Sequence, residues 1–169
     1  EMKARFEKIA ADMIVLKPTM ATIFNTRTLV FDLVDSYADS ANPKEIGDAV
    51  IKLCENIIAH SFEAVNSLGE IGANLIQDGE VIMMNSYASS VMNVFGHAAD
   101  AGKKFTVICP ESRPLREAVN SANFLESKGI DVIFVTDGAM WENVRKANWC
   151  ITGSDTLSWD GRVANKIGT

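Results

Sequence analysis

The chain has 169 residues, 47% of them hydrophobic and 22% charged, the balance of a folded globular protein rather than a disordered one. Its formal net charge of -6 repels phosphate backbones and so argues against general nucleic-acid binding. No apolar run approaches the roughly 20 residues of a membrane span, and Cys54, Cys109 and Cys150 are too scattered for a disulfide framework or a zinc site, as expected in a reducing cytoplasm.

No signal-peptide pattern opens the chain, and its first residue is Glu1 rather than Met, so a trimmed or longer natural N-terminus is expected. Phe6, Ile9, Met13 and Leu16 recur at helical steps until Lys17-Pro18-Thr19 closes the segment. A second helix is predicted over 25–38, burying Leu29, Val30, Leu33 and Val34. Ser40-Ala41-Asn42-Pro43 breaks the pattern, and Pro43 suits the first turn of the next helix. From 44 to about 75, Ile46, Val50, Leu53, Ile57, Ala64, Leu68 and Ile71 form one apolar stripe, with a break expected near Gly69 or Gly72. His60 falls on that stripe.

The period changes after the turn Gln77-Asp78-Gly79-Glu80. Apolar runs at 81–84, 105–109, 132–135 and 149–152 alternate with helical patterns at 88–101, 114–128 and 139–147. Such alternation, with strands apolar throughout, predicts a parallel sheet covered on both faces. A fifth strand is read at 162–165, and the sheet is expected to continue beyond Thr169. The predicted class is therefore α/β: a helical domain over 1–76, then an α/β domain over 77–169 that is incomplete at its C-terminus.

In a parallel α/β sheet, ligands bind beyond the carboxyl ends of the strands. Here those ends carry Asn85 and Ser86, then Glu111, Ser112 and Arg113, then Thr136 and Asp137, then Ser154 and Asp155, and finally Asn165 and Lys166. Polar residues end most strands because loops are wet and Asp and Ser cap helices. Agreement across five ends lifts the set above that background. The mixture suits a polyhydroxylated, phosphorylated small molecule, with Arg113 and Lys166 as phosphate partners. The helix start after Ser86, with Ser89 and Ser90, offers amides and hydroxyls to the same group. A desolvated Asp155 could move a proton between neighbouring carbons. Neither His60 nor His97 lies near a strand end, so no serine–histidine–acid set is drawn. Cys109 ends a strand and is expected to be buried, and neither a metal nor a cofactor is called for.

Asn165-Lys166-Ile167-Gly168-Thr169, Gly153-Ser154-Asp155, Asp160-Gly161, the run Asp78-Gly79-Glu80-Val81-Ile82-Met83 and Glu111-Ser112-Arg113-Pro114 together resemble one superfamily. It contains the α, β and δ subunits of translation initiation factor 2B, methylthioribose-1-phosphate isomerase and archaeal ribose-1,5-bisphosphate isomerase. Lys17-Pro18-Thr19 with Asn25 is similar to a further pattern in its helical region, and the likeness is nearest to the archaeal branch. The resemblance implies a helical domain followed by a Rossmann-like domain, assembled as a dimer or larger homo-oligomer. It also implies carbonyl transfer from C1 to C2 of a phosphorylated aldose by a cysteine and an aspartate.

By that resemblance the aspartate falls on Asp155, and substrate contacts fall on Asn165 and Lys166. The cysteine falls on Ser86, where the isomerases read His-Cys and this chain reads Asn85-Ser86. A serine hydroxyl is a far poorer acid and base than a thiol. The first expectation is thus a cytoplasmic initiation factor 2B-related protein. It would bind a sugar phosphate or nucleotide through Asn85, Ser89, Arg113, Asp137, Asn165 and Lys166, with itself or translation initiation factor 2 as partner. The alternative is an aldose-1-phosphate isomerase in which Asp155 acts with Ser86.

Overall fold

The protein, seen in a computed structural model, is described over residues 2–38, 41–166 and 168–169. Helices α1 (Met2–Leu16), α2 (Ala21–Asp35) and α3 (Pro43–Leu75) come first. They are followed by β1 (Val81–Asn85), α4 (Ser89–Asp100), β2 (Thr106–Pro110), α5 (Ala118–Ser127), β3 (Asp131–Val135), α6 (Met140–Val144) and β4 (Trp149–Thr152). Two short strands, β5 (Thr156–Leu157) and β6 (Val163–Ala164), close the order. The chain divides into two compact units, Glu1–Ser61 with Ser154–Asn165, and Phe62–Gly153 with Lys166–Thr169. The sequence placed a boundary at 76/77 instead. In the structure the last turns of α3 share a core with the sheet, and the β5–β6 segment groups with the first helices.

In the first unit α1 and α2 meet through Phe6 and Phe31, whose rings lie 5.9 Å apart at 59°. The Arg27 guanidinium sits 4.9 Å from the Phe31 ring and bonds Glu7 at 3.1 Å, while Lys3 pairs with Asp35. Val30 is the buried residue of α2. Strands β5 and β6 pair antiparallel, Thr156 opposite Ala164 and Leu157 opposite Val163. The segment expected as a fifth parallel strand therefore forms a small hairpin of its own. Ala21 N–H donates to Thr156 Oγ1 at 3.1 Å and to the Asp155 carbonyl at 3.3 Å, tying that hairpin to the start of α2.

The second unit holds a four-stranded parallel sheet in the order β3-β2-β1-β4, in which Ile82 lies opposite both Val107 and Trp149. One face presents Ile82, Met84, Val107 and Cys109 to α4 and α5, where Val94, Phe95, Ala98 and Leu125 complete the core. The other face presents Met83 and Cys150 towards Met140, Trp141 and Val144 of α6, around a hollow of about 390 Å³. Strand β3 is an edge, and its Ile133 and Phe134 stay about two-fifths exposed.

The expected stripe of α3 fails at its C-terminal end. Leu68 and Ile71 are exposed, and the packed positions are Gly69, Ala73 and the following Ile76. The helix does not break at its glycines, which are instead contact points. A Cβ at Gly69 would stand 2.6 Å from His97 Cδ2, and one at Gly72 would stand 2.6 Å from Val94 Cγ2. His97 bonds Asn66 at 3.1 Å, while His60 is exposed rather than packed. The helix ends where Lys103 Nζ donates to the carbonyls of Ala73 and Ile76, a cation on the negative end of the helix dipole. Gly72→Val should destabilise the unit by about 1–3 kcal/mol through overpacking against Val94. Gly47→Ala, with nothing within 4 Å of the new Cβ, should stabilise by roughly 0.5–1 kcal/mol. Urea midpoints of both variants check the pair.

Candidate functional site

At the end of β1 the backbone of Ser86 turns left-handed, with φ 64°, and Ser112 does the same beyond β2 with φ 59°. Neither is glycine, so each position costs on the order of 1–3 kcal/mol and persists only where its surroundings impose it. Both serines are buried. Ser86 N–H donates to Ser112 Oγ at 3.1 Å, and Ser112 Oγ–H donates to the Pro110 carbonyl at 3.3 Å. The loop carrying Ser112 is held in turn by Asp137, just after β3. Its two carboxylate oxygens accept the N–H of Ser112 at 2.9 Å and of Arg113 at 2.7 Å. Three strand ends are thus bound into one hydrogen-bonded chain.

Glu117, at the entry of α5, joins this chain from the side. Its Oε2 accepts from Lys166 Nζ at 2.6 Å and lies 3.5 Å from Ser86 Oγ, the outer limit of a hydrogen bond. Glu117 and Lys166 are both largely covered, their side chains 30% and 23% exposed. Asn85 Nδ2 donates to Thr169 Oγ1 at 2.8 Å, and Thr169 Oγ1–H donates to the Lys166 carbonyl at 2.7 Å. That pins the turn bearing Lys166 to the end of β1. Ser89 opens α4, whose N-cap Ala88 has no side chain to cap the first turn. Its leading amides are therefore available to an anion.

The structure thus brings Asn85, Ser86, Asp137 and Lys166 into one network in the sheet unit, with Ser89 at the start of α4 and the exposed Arg113 in the loop after β2. The Asp137 carboxylate is committed to backbone amides, which makes it a support of the loop. Asp155 and Asn165 belong to the helical unit. Asp155 is half-buried, and its N–H bonds the Ala164 carbonyl at 2.9 Å. Asn165 is half-buried just after β6. Ser112 was read at its strand end without a role, and Glu117 was missed because α5 was expected from Pro114. It begins at Ala118, and the turn before it carries Glu117 to the strand ends. An acid in the last residues before a crossover helix was the available signal.

Cys109 lies fully buried in β2, where desolvation pushes its thiol up to about 12. It cannot supply a thiolate near neutrality. Cys150 is exposed. A disulfide reagent at mildly alkaline pH should therefore modify Cys150 quickly and Cys109 only after unfolding. Mass mapping of early labelling checks this, and Cys109 labelled first would contradict the burial. Among the described residues no three His, Cys, Asp or Glu side chains are grouped to hold a metal ion.

The family model described as the initiation factor 2 subunit family matches residues 1–169. A ribose 1,5-bisphosphate isomerase of Pyrococcus furiosus is 31% identical over 165 residues, 91% of this chain and 51% of that protein. A translation initiation factor eIF-2B subunit 2-like protein of Pyrococcus abyssi is 35% identical over 162 residues, 96% of this chain and 55% of that protein. The crystal structure of the translation initiation factor eIF-2B of Pyrococcus horikoshii superposes with a TM-score of 0.85 at 30% identity, over 98% of this chain and 56% of that one. The chain spans about half the length of the curated relatives it matches. With the helical region, the parallel sheet and the whole length of the chain matched, the protein belongs to the initiation factor 2 subunit family.

Proposed function

We propose that the strand-end cluster takes a phosphorylated sugar and shifts its carbonyl from C1 to C2, the reaction of an aldose–ketose isomerase. In a sugar 1-phosphate O1 stays esterified: the ring C1–O4 bond opens and O4 takes a proton. A base takes the C2 proton, a proton is returned at C1, and the C2 hydroxyl gives up its proton as the C2 carbonyl forms. The observation that carries the reading is the 3.5 Å approach of Ser86 Oγ to the Glu117 carboxylate. In the sequence Ser86 has no neighbouring base, and a lone hydroxyl is a poor participant in proton transfer. Glu117 supplies the missing acceptor. Lys166 and the uncapped start of α4 at Ser89 suit the phosphate, with Arg113 at its edge and Asn85 for a sugar hydroxyl. The resemblance to the isomerases, rather than the cluster's geometry, adds Asp155 as the second acid–base group and Asn165 as a sugar contact. Relatives named ribose 1,5-bisphosphate isomerase support that compound as the substrate.

A second reading is favoured by Ser86 itself, which stands where the isomerase resemblance calls for a thiol, and by the relatives named as eIF-2B subunit 2-like. It makes the protein a cytoplasmic regulatory homologue that binds a sugar phosphate or nucleotide. Such a protein would assemble as a homo-oligomer or with translation initiation factor 2.

NMR-monitored incubation of the full-length protein with ribose 1,5-bisphosphate separates the two. Ketose formation that falls by about 100-fold or more in Asp155→Asn is expected of the isomerase. Binding without turnover, with turnover gained in Ser86→Cys, would establish the regulatory reading instead.

A further inference from the structure

We infer that Glu117 is an internal anion that occupies Lys166 until a phosphate replaces it. The inference rests on the reading that a phosphate binds at this cluster, but it can fail separately from the isomerase activity. Lys166 Nζ and Glu117 Oε2 lie 2.6 Å apart, a charge-assisted contact between two largely covered side chains. The ammonium that suits a phosphate is therefore already engaged by a carboxylate of the same chain. The same Oε2 is the atom that faces Ser86 Oγ at 3.5 Å. One oxygen thus serves two partners, and it is shared between them only while Lys166 stays.

A phosphate ester has what is needed to take Lys166 away. It carries up to two negative charges against one, and the uncapped first turn of α4 adds donors that a carboxylate fixed at Glu117 does not use. The turn that carries Lys166 is tethered through Thr169 to Asn85, so the ammonium can change partner without its backbone leaving the strand end. After the exchange, Glu117 Oε2 is left to the Ser86 hydroxyl alone. Ligand binding and the pairing of Ser86 with its acceptor become one event, which keeps the acceptor occupied by Lys166 in the empty protein.

The experiment is phosphorus-NMR titration of the full-length protein with inorganic phosphate and with ribose 5-phosphate. Four proteins are compared: the natural sequence, Glu117→Gln, Lys166→Gln and the double variant. Glu117→Gln should bind both probes about fivefold more tightly, since release of a largely covered ion pair is no longer required. Lys166→Gln should weaken binding, and Glu117→Gln should give no gain in the Lys166→Gln background, because the two residues act as a pair. A gain that persists without Lys166 would reduce Glu117 to a general repulsive charge and overturn the inference. Unchanged or weaker binding in Glu117→Gln, or no binding by any of the four at millimolar phosphate, would overturn it too. Glu117→Asp guards against a folding defect: it keeps the charge but draws the carboxylate back from Lys166, so it should also tighten binding. Loss of isomerase turnover with these binding shifts intact would remove the proposed reaction and leave the exchange standing.

Discussion

Asp137→Ala is expected to remove about 2–4 kcal/mol of stability and to loosen Ser86, although the two residues do not touch. The carboxylate accepts two backbone amides, at 2.9 and 2.7 Å, and hydrogen bonds to a charged acceptor contribute about 1.5–3 kcal/mol each, less where water can compete. Without them the left-handed turn at Ser112 loses what holds it, and Ser112 Oγ no longer presents itself to Ser86 N–H. Urea unfolding measures the first effect. Amide hydrogen exchange measures the second, with faster exchange predicted at Ser86 as well as at Ser112 and Arg113. A stability loss below about 0.5 kcal/mol, the scale of an ordinary surface change, would contradict this account of the strand ends. Asp137→Asn should lie between, because it keeps one acceptor and turns an amide group against the other backbone N–H.

The largest stability effect falls on Phe95. It is fully buried on α4, with its ring 5.7 Å from that of Phe105, in the core that seats α4 on the sheet. Phe95→Ala should cost about 3–5 kcal/mol through lost burial and the cavity left behind. That is a large share of the roughly 5–15 kcal/mol that stabilises a typical domain. Phe62→Ala is the control, since Phe62 is 72% exposed and should change little. Equal losses in the two variants would mean that the core is wrongly placed.

The sheet was legible because each strand is a short, wholly apolar run bounded by turn residues. The run at 81–84 became β1, and its three fellows became β2, β3 and β4. The packed face of α3 was not legible. Periodicity gives weight to Leu68 and Ile71, yet close helix packing selected Gly69, Gly72 and Ala73, whose small size admits His97 and Val94. Hydropathy cannot see an advantage that consists of missing atoms. The 162–165 segment was recognised as extended, but pairing partners are set by tertiary contacts, and its partner is Thr156–Leu157. At the strand ends the residue types were readable, while their conformations were not. Left-handed serines carry no sequence mark of the kind glycine leaves, and Glu117 was hidden by assigning its turn to a helix.

The most direct test of the central claim, that the strand-end cluster binds a phosphorylated sugar, is an amide chemical-shift map of isotope-labelled full-length protein titrated with the sugar bisphosphate proposed above. The account predicts saturable shifts concentrated at Ser86, Ser89, Ser90, Ser112 and Lys166, and their loss in Lys166→Gln. Saturable shifts confined to other surfaces, or no shifts at millimolar ligand, would contradict it.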